Sequence, residues 1–301
     1  MPEDLERHLH VLDPGALTTV QDLGRRGWAH LGVPRSGALD EPALRLANRL
    51  VGNPEASAGL ETTLTGVAFR LDSTTSFAVT GAACDVRVAG RAVGWGTAVV
   101  APAGAEVRIG AAVRGVRSYV ALAGGLDVLP VLGSRSTDLL SGLGPAPLRA
   151  GDRLPLGPPG HWAPGVEAAP PGAQDTVRLR LGPRADWFSA AATAVLDGAS
   201  YEVGAASNRI GLRLAGPRLE RSVEGELPSE GMVLGAVQVP PSGQPVILLN
   251  DHPTTGGYPV VAVVVGADLP VCAQAGPGDR LTLRVVGPRG ADAAGDPRPR
   301  G

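Results

Sequence analysis

The sequence predicts a mainly β protein, two related barrels or sandwiches in tandem with a few short helices, and three observations carry that prediction. Between Ala56 and Leu156 the chain passes through short apolar runs broken by Gly, Pro and Asp, at residues 60–64, 68–71, 76–80, 85–88, 98–100, 106–110 and 117–123. Each run has a strand's usual length, and the near-regular spacing is that of a barrel or sandwich. A Pro/Gly-rich stretch at 157–172 then separates this half from a second that repeats it in outline. Both halves carry a GDRL tetrapeptide, at 151–154 and 278–281, as a turn into a last strand. The expected organisation is an N-terminal subdomain over 1–157, a linker over 158–175, a C-terminal subdomain over 176–289 and a disordered tail over 290–301.

In chain order, residues 9–12 form a strand that ends in the turn Asp13-Pro14-Gly15, and 18–22 (TTVQD) form a second. The Gly-rich connection that follows is long, and loops of that size inside a compact domain are usually functional or disordered. Trp28, His30 and Val33 interleaved within it argue against disorder. The clearest helix spans 38–51, with Leu39, Ala43, Leu46, Ala47 and Leu50 on one face, Asp40 and Pro42 at its start and Gly52 at its end. Residues 130–140 suggest a helical turn. In the second half, 177–181, 200–203 and 213–214 are strands and 186–196 is a helix. A hairpin pairs 232–239 with 245–249 around Pro240-Pro241-Ser242-Gly243, and 260–265 is a further strand. Between hairpin and strand lies a polar knot, Asn250-Asp251-His252-Pro253-Thr254-Thr255-Gly256-Gly257-Tyr258. These are ordinary turn residues. Yet a carboxylate, an imidazole, hydroxyls and a Gly-Gly pair converge between buried strands, which is also what a binding site requires.

Composition narrows the chemistry. The 301 residues are 44% apolar, enough for one large core or two ordinary ones. A net charge of −2 argues against nucleic acid as a general partner, because phosphate binding needs a basic face. The chain has no lysine, so it can carry no biotinyl-lysine, Schiff base or Walker-loop lysine. Cys84 and Cys272 lie far apart without metal-ligand spacing and read as small buried apolar residues. No signal-peptide core and no run of about 18 apolar residues is present, so a soluble cytoplasmic protein is expected, with no membrane partner.

The string from Thr18 to Asn53, TTVQDLGRRGWAHLGVPRSGALDEPALRLANRLVGN, resembles the opening of the allophanate hydrolase subunit 2 family, also called the biotin-dependent carboxyltransferase, KipA or 5-oxoprolinase C-subunit family. Further matches are LETTL at 60–64, TGA at 80–82, YVALAGG at 119–125, LGSRSTD at 132–138, SNRIGLRL at 207–214, SEG at 229–231, QVP at 238–240 and residues 251–259. They span nearly the whole chain in the family's order. The chain departs from the pattern at Asn208, where Asp is usual, at Leu212, where Tyr is common, and in a shortened Gly-rich loop after Gly142.

The resemblance implies two cyclophilin-like β-barrels and partner chains: a subunit 1 (KipI-like) homologue and a third 5-oxoprolinase subunit. It implies an ATP-dependent opening of 5-oxoproline to glutamate, with ATP bound mainly with or by a partner subunit. Two alternatives accompany it: the carboxyltransferase part of a urea carboxylase-like enzyme, with biotin on another chain, and a KipA-like regulatory binding protein. Both enzymatic readings need a group that polarises a carbonyl and one that handles a proton. Asp22, Asp251 and His252 are candidates for proton handling. Arg25 and Arg135 are candidate anion forks, each also able to pair with Asp22 or Asp138. Thr254, Thr255 and Tyr258, helped by the amides of Gly256 and Gly257, are candidate donors to an oxyanion. Gln238 and Gln244 either read an amide edge or satisfy strand ends.

Overall fold

The computed structural model describes residues 7–160, 168–169, 172, 174–225 and 227–287. The tail expected at 290–301 and part of the linker expected at 158–175 lie outside them. The first half runs β1 (His8–Asp13), β2 (Leu17–Gln21), α1 (Glu41–Leu50), β3 (Gly59–Thr63), β4 (Val67–Leu71), β5 (Thr75–Val88), β6 (Arg91–Ala92), β7 (Val99–Ala101), β8 (Glu106–Leu122) and β9 (Arg153–Pro155). The second runs β10 (Thr176–Leu181), α2 (Ala190–Leu196), β11 (Ser200–Val203), β12 (Gly211–Ala215), β13 (Glu230–Gly231), β14 (Ala236–Gln238), β15 (Val246–Leu248), β16 (Thr255–Gly256), β17 (Val260–Val264), α3 (Leu269–Gln274) and β18 (Arg280–Val285).

In the first half, four of the expected strands merge into two. Residues 76–80 and 85–88 belong to the 14-residue β5, and 106–110 and 117–123 to the 17-residue β8. The polar and glycine residues that read as breaks are absorbed by register shifts between these strands, at Gly81/Ala83, Ala83/Cys84 and Cys84/Val86. Each shift bends and twists the ribbon without ending it. Gly81 makes the first corner: its φ is +81°, and an added Cβ would sit 2.5 Å from the Arg117 carbonyl oxygen. The long β8 then serves two neighbours, β4 along its start and β3 along its end, with β5 on its other edge.

The sheet order is β2-β3-β8-β4-β1-β9, and among the described residues nothing pairs β2 with β9. This half is therefore an open half-barrel, whereas a closed barrel was one expectation. Its core gathers Leu9, Phe69, Phe77, Ile109 and Leu122, with Phe69 and Phe77 edge to face at 6.4 Å.

The second half closes fully, in the order β10-β17-β14-β15-β12-β11-β18, with β18 running parallel to β10. The expected hairpin is present, Val237 opposite Ile247 and Gln238 opposite Val246. The two GDRL turns match in detail. Asp152 accepts from the Arg149 N–H at 2.7 Å and Asp279 from the Gly276 N–H at 2.7 Å, each three residues back. What differs is the strand that follows: β9 pairs with β1 alone, whereas β18 pairs on both edges.

Helix α1 starts where the sequence places its signals. Asp40 accepts from the Ala43 N–H at 3.1 Å, Pro42 occupies the first turn, and Ala43, Leu44, Ala47 and Leu50 face inward. Such a cap contributes about 1 kcal/mol. The helix expected at 186–196 is split: Ala185–Trp187 is a single 3-10 turn and α2 begins only after Ser189, whose hydroxyl caps the Ala192 N–H. Residues 130–140 hold no helix, only a bridge between Val131 and Ser134. Leu39, just before α1, is buried among the core residues of the second half, so the two halves share a side chain as well as an interface. No helix among the described residues is long and apolar enough to cross a membrane.

Candidate functional site at the junction of the halves

A buried network of charges spans the junction. Glu61 on β3 lies directly across from Tyr119 on β8, and Arg117 is two residues along β8 on the same face. Tyr119 donates its hydroxyl to Glu61 at 2.8 Å, and the Leu39 N–H donates to the same carboxylate at 2.9 Å. From the second half Arg209 donates to the other Glu61 oxygen. Through Nε and Nη2 it also grips Asp251 side-on at 2.9 and 3.0 Å, and Nη2 reaches the Gly37 carbonyl at 2.7 Å. Gln274 at the end of α3 accepts from the N–H groups of Val116 and Arg117 and donates to Asp40 and to the Arg117 carbonyl. Asn250 extends the contact, its amide donating to the carbonyls of Ser36, Gly37 and Ala38.

Glu61, Arg117, Arg209 and Asp251 are all buried, so two carboxylates face two guanidiniums with little water to screen them. Burial alone would lift the Glu61 carboxyl, but Arg209 and Arg117 reverse the sign and hold it below the ordinary value. Burial wins at Asp251 and Asp40, whose carboxyls sit above theirs despite the Arg209 and Gln274 contacts. Desolvation disfavours charged Arg209, yet its two carboxylate partners keep it protonated beyond the usual arginine range. Burial and the neighbouring acids push the Tyr119 phenol well up. Such a network is rigid and costly to break piecemeal, because each deletion strands a buried charge.

Beside it lies a cavity of about 240 Å³ built by both halves, lined by Arg35, Leu39 and Pro42 from the first and by Leu234, Asn250 and Leu269 from the second. Arg35 donates Nη2 to Glu41 at 2.5 Å, while its Nε–H is buried without a partner. A larger hollow of about 550 Å³ lies around Arg218, Arg221 and the hairpin turn Pro240–Gly243, and it is lined by the second half alone. The smaller cavity is the better site candidate because, of the two, it is the one built by both halves; an arginine Nε without a partner belongs to each, Arg35 to the smaller and Arg221 to the larger.

The family model of the carboxyltransferase domain, subdomain A and B, matches residues 31–285. The chain belongs to the carboxyltransferase-domain family. It is 41% identical over 272 residues to the C subunit of 5-oxoprolinase from Escherichia coli (strain K12), covering 88% of this chain and 87% of that protein. Among solved structures it is similar to TTHA0988, with TM-score 0.85, 36% identity and coverage of 95% of this chain and 56% of that one. It is also similar to the K. lactis urea amidolyase, with TM-score 0.87, 29% identity and coverage of 95% of this chain but 19% of that one.

Within this carboxyltransferase-domain framework the residues that the sequence singles out fall into three groups. Asp22 and Arg25 pin a loop. Asp22 accepts from the Ser134 and Ser136 hydroxyls at 2.6 and 2.5 Å and from the Gly24 and Arg135 N–H groups. Arg25, buried, donates to Ser36 Oγ at 3.1 Å and to the Ser136 carbonyl at 2.5 Å. Asp251 belongs to the charge network and also accepts from the Leu139 N–H at 3.2 Å, so the segment from Ser134 to Leu139 runs from Asp22 to Asp251. His252, buried beside it, donates Nδ1–H to the Pro253 carbonyl at 2.7 Å, which leaves Nε2 unprotonated, and burial lowers its affinity for a second proton.

The remaining residues lie apart from the network. The Arg135 side chain turns outward to Asp127 at 2.6 Å and to the Val128 carbonyl. Thr254 receives the Met232 N–H on its carbonyl, and Thr255 and Gly256 pair with β13. Gly256 lies against Gln238, whose amide donates to the Tyr258 carbonyl at 3.2 Å; an added Cβ there would come within 2.8 Å of Gln238 Nε2. Gly257 and Tyr258 are exposed. Gln244 bridges the Gly216 N–H and carbonyl, the strand-end role. Asn208, one of the departures from the family pattern, accepts from the Ile210 N–H at 2.8 Å, as an Asp would.

Arg209, Glu61, Arg117, Tyr119, Gln274 and Arg35 are site residues that sequence reasoning misses. One signal is available: Glu61 and Tyr119 are polar residues in otherwise buried strands, and such residues require partners.

Proposed function

We propose that this chain is one subunit of an ATP-dependent 5-oxoprolinase that opens 5-oxoproline to glutamate, with partner subunits supplying ATP binding. The observation that carries this reading is the similarity to the C subunit of E. coli 5-oxoprolinase across nearly the full length of both chains. The architecture supports it: the cavity at the junction offers a guanidinium paired with a carboxylate, Arg35 with Glu41, together with an amide and apolar walls, with no lysine in the chain and no cysteine or hydroxyl nucleophile on its lining. The chain would bind and orient substrate while another subunit, KipI-like or the third, brings the phosphoryl donor. Asp251 and His252 follow Asn250 in sequence and would act by fixing its position.

The likeness to the K. lactis urea amidolyase favours a second reading, carboxyl transfer to urea or a related amide, with biotin carried by another chain. Reconstitution separates them. Purified with both partner subunits, the chain is expected to release glutamate from 5-oxoproline only when ATP and all three chains are present. Carboxylation of urea from a biotinylated carrier, with no glutamate release, would replace the first reading by the second.

A further inference from the structure

We infer that the cavity between the halves is a binding site for a small carboxylate that also bears an N–H, with Arg35 as the carboxylate partner and Asn250 as the acceptor for the N–H. The inference deepens the oxoprolinase reading and rests on it for the identity of the natural ligand.

The charge around Arg35 is unbalanced. Glu41 takes contacts from Arg26 at 3.5 Å, Arg35 at 2.5 Å and Arg45 at 2.6 Å. Glu55, the other acid of the cluster, is shared by Arg45 and Arg49 at 2.9 and 2.7 Å. Four guanidiniums thus share two carboxylates; on the cavity lining itself the charged residues are Arg35 and Glu41, so the surplus comes from the arginines behind them. Within that surplus Arg35 is the member that lines the cavity. Its Nε–H is closed even to water and Nη2 is held by Glu41, whereas Nη1 donates to no described residue and is the nitrogen that a ligand can meet. The planar fork of a guanidinium is matched by the two oxygens of a carboxylate.

The other lining residues restrict what else the ligand carries. Asn250 spends its Nδ2 hydrogens on three carbonyls of the 36–38 segment, which fixes the orientation of the amide. Its Oδ1 accepts from no described residue and so offers an acceptor, suited to the N–H of a lactam or amine. Leu39, Leu234 and Leu269 supply apolar wall for a short carbon skeleton. At about 240 Å³ the cavity is below the range of about 300–1,000 Å³ for drug-sized ligands, which admits a single small ring and excludes a nucleotide. Urea has no carboxylate, so an Arg35-dependent site is not one that urea requires.

Ligand-observed NMR and calorimetry on the full chain test the inference, with three probes at millimolar concentration: 5-oxoproline, pyrrolidin-2-one, which lacks the carboxylate, and the corresponding lactone acid, which lacks the N–H. The expected order is 5-oxoproline tightest, with Arg35→Gln weakening it about tenfold to a hundredfold while leaving pyrrolidin-2-one unaffected. Leu234→Trp, which fills the cavity from the other half, is expected to abolish binding of all three. Near-UV circular dichroism of both variants should match the wild type. Absence of 5-oxoproline binding, equal binding of the two cyclic amides, or wild-type affinity in Arg35→Gln would each overturn the inference. The two readings fail separately. Turnover in the reconstituted enzyme with an unchanged KM in Arg35→Gln refutes the site and spares the oxoprolinase assignment. Arg35-dependent binding without turnover does the reverse.

Discussion

Replacing Arg209 with methionine is the sharpest perturbation of the junction. Arg209 holds Asp251 through two hydrogen bonds, Glu61 through a third and the Gly37 carbonyl through a fourth, and it is 1% exposed. Methionine has similar length but no charge, leaving two fully buried carboxylates behind. Glu61 would retain Tyr119, the Leu39 N–H and Arg117 at 3.6 Å, whereas Asp251 would retain only the Leu139 N–H at 3.2 Å. Breaking a buried pair from one side costs about 3–5 kcal/mol. For a domain of this size that is a fall of about 6–20 °C in Tm.

The pH dependence gives the same perturbation a sign. Without Arg209 each carboxyl loses its largest charge-stabilising partner, so both folded pKa values rise above those of the wild type. The folded variant then binds more protons than the folded wild type as pH falls, and the stability gap to wild type must narrow on acidification. Thermal unfolding of both proteins from pH 8 down to pH 5 checks this, with intrinsic tryptophan fluorescence as the readout. A Tm within about 2 °C of wild type at pH 7, or a gap that widens in acid, would refute the reasoning.

Three further outcomes follow from single residues. His252 is buried with its proton affinity lowered, so below about pH 6.5 the unfolded chain takes up a proton that the folded chain does not; His252→Gln should flatten that part of the acid limb in urea titrations at stepped pH. Leu39→Ala removes a side chain that belongs to the core of the other half and should cost about 2–5 kcal/mol, measured by chemical denaturation. Arg135→Gln should change stability by less than about 1 kcal/mol, because its partner Asp127 is 57% exposed and water already screens the pair.

Much of the fold was legible because its signals are local. Asp40, Pro42 and the apolar spacing of α1 act within one turn, and the PPSG hairpin and both GDRL turns are set by residues a few positions apart. The exceptions have physical causes. Gly81 reads as a strand end, but it is a corner inside one continuous strand, since bulging and stopping use the same residue. Helix α3, which the sequence reading does not place, is only six residues long, too short for an apolar period to show. Closure of the second sheet and opening of the first depend on pairing between chain ends, which no local pattern encodes.

The candidate site was legible in the same uneven way. The polar knot drew attention to Asp251, and the structure makes Asp251 the partner of an arginine 42 residues away. The third member of that contact, Glu61, is 148 residues from Arg209. Arg135 looked like an anion fork from its neighbours, yet a side chain's direction is set by the turn that carries it, and this turn spends its inward face on Ser134, Ser136 and the Arg135 backbone N–H.

A double-mutant cycle between Arg209→Met and Glu61→Gln measures the coupling across the junction most directly. If the halves are locked by shared buried charge, the paired variant will be less damaged than the sum of the singles by at least about 2 kcal/mol. Losses that add to within about 0.5 kcal/mol would show that the two residues are neighbours without being partners, and would remove the rigid junction on which the cavity depends.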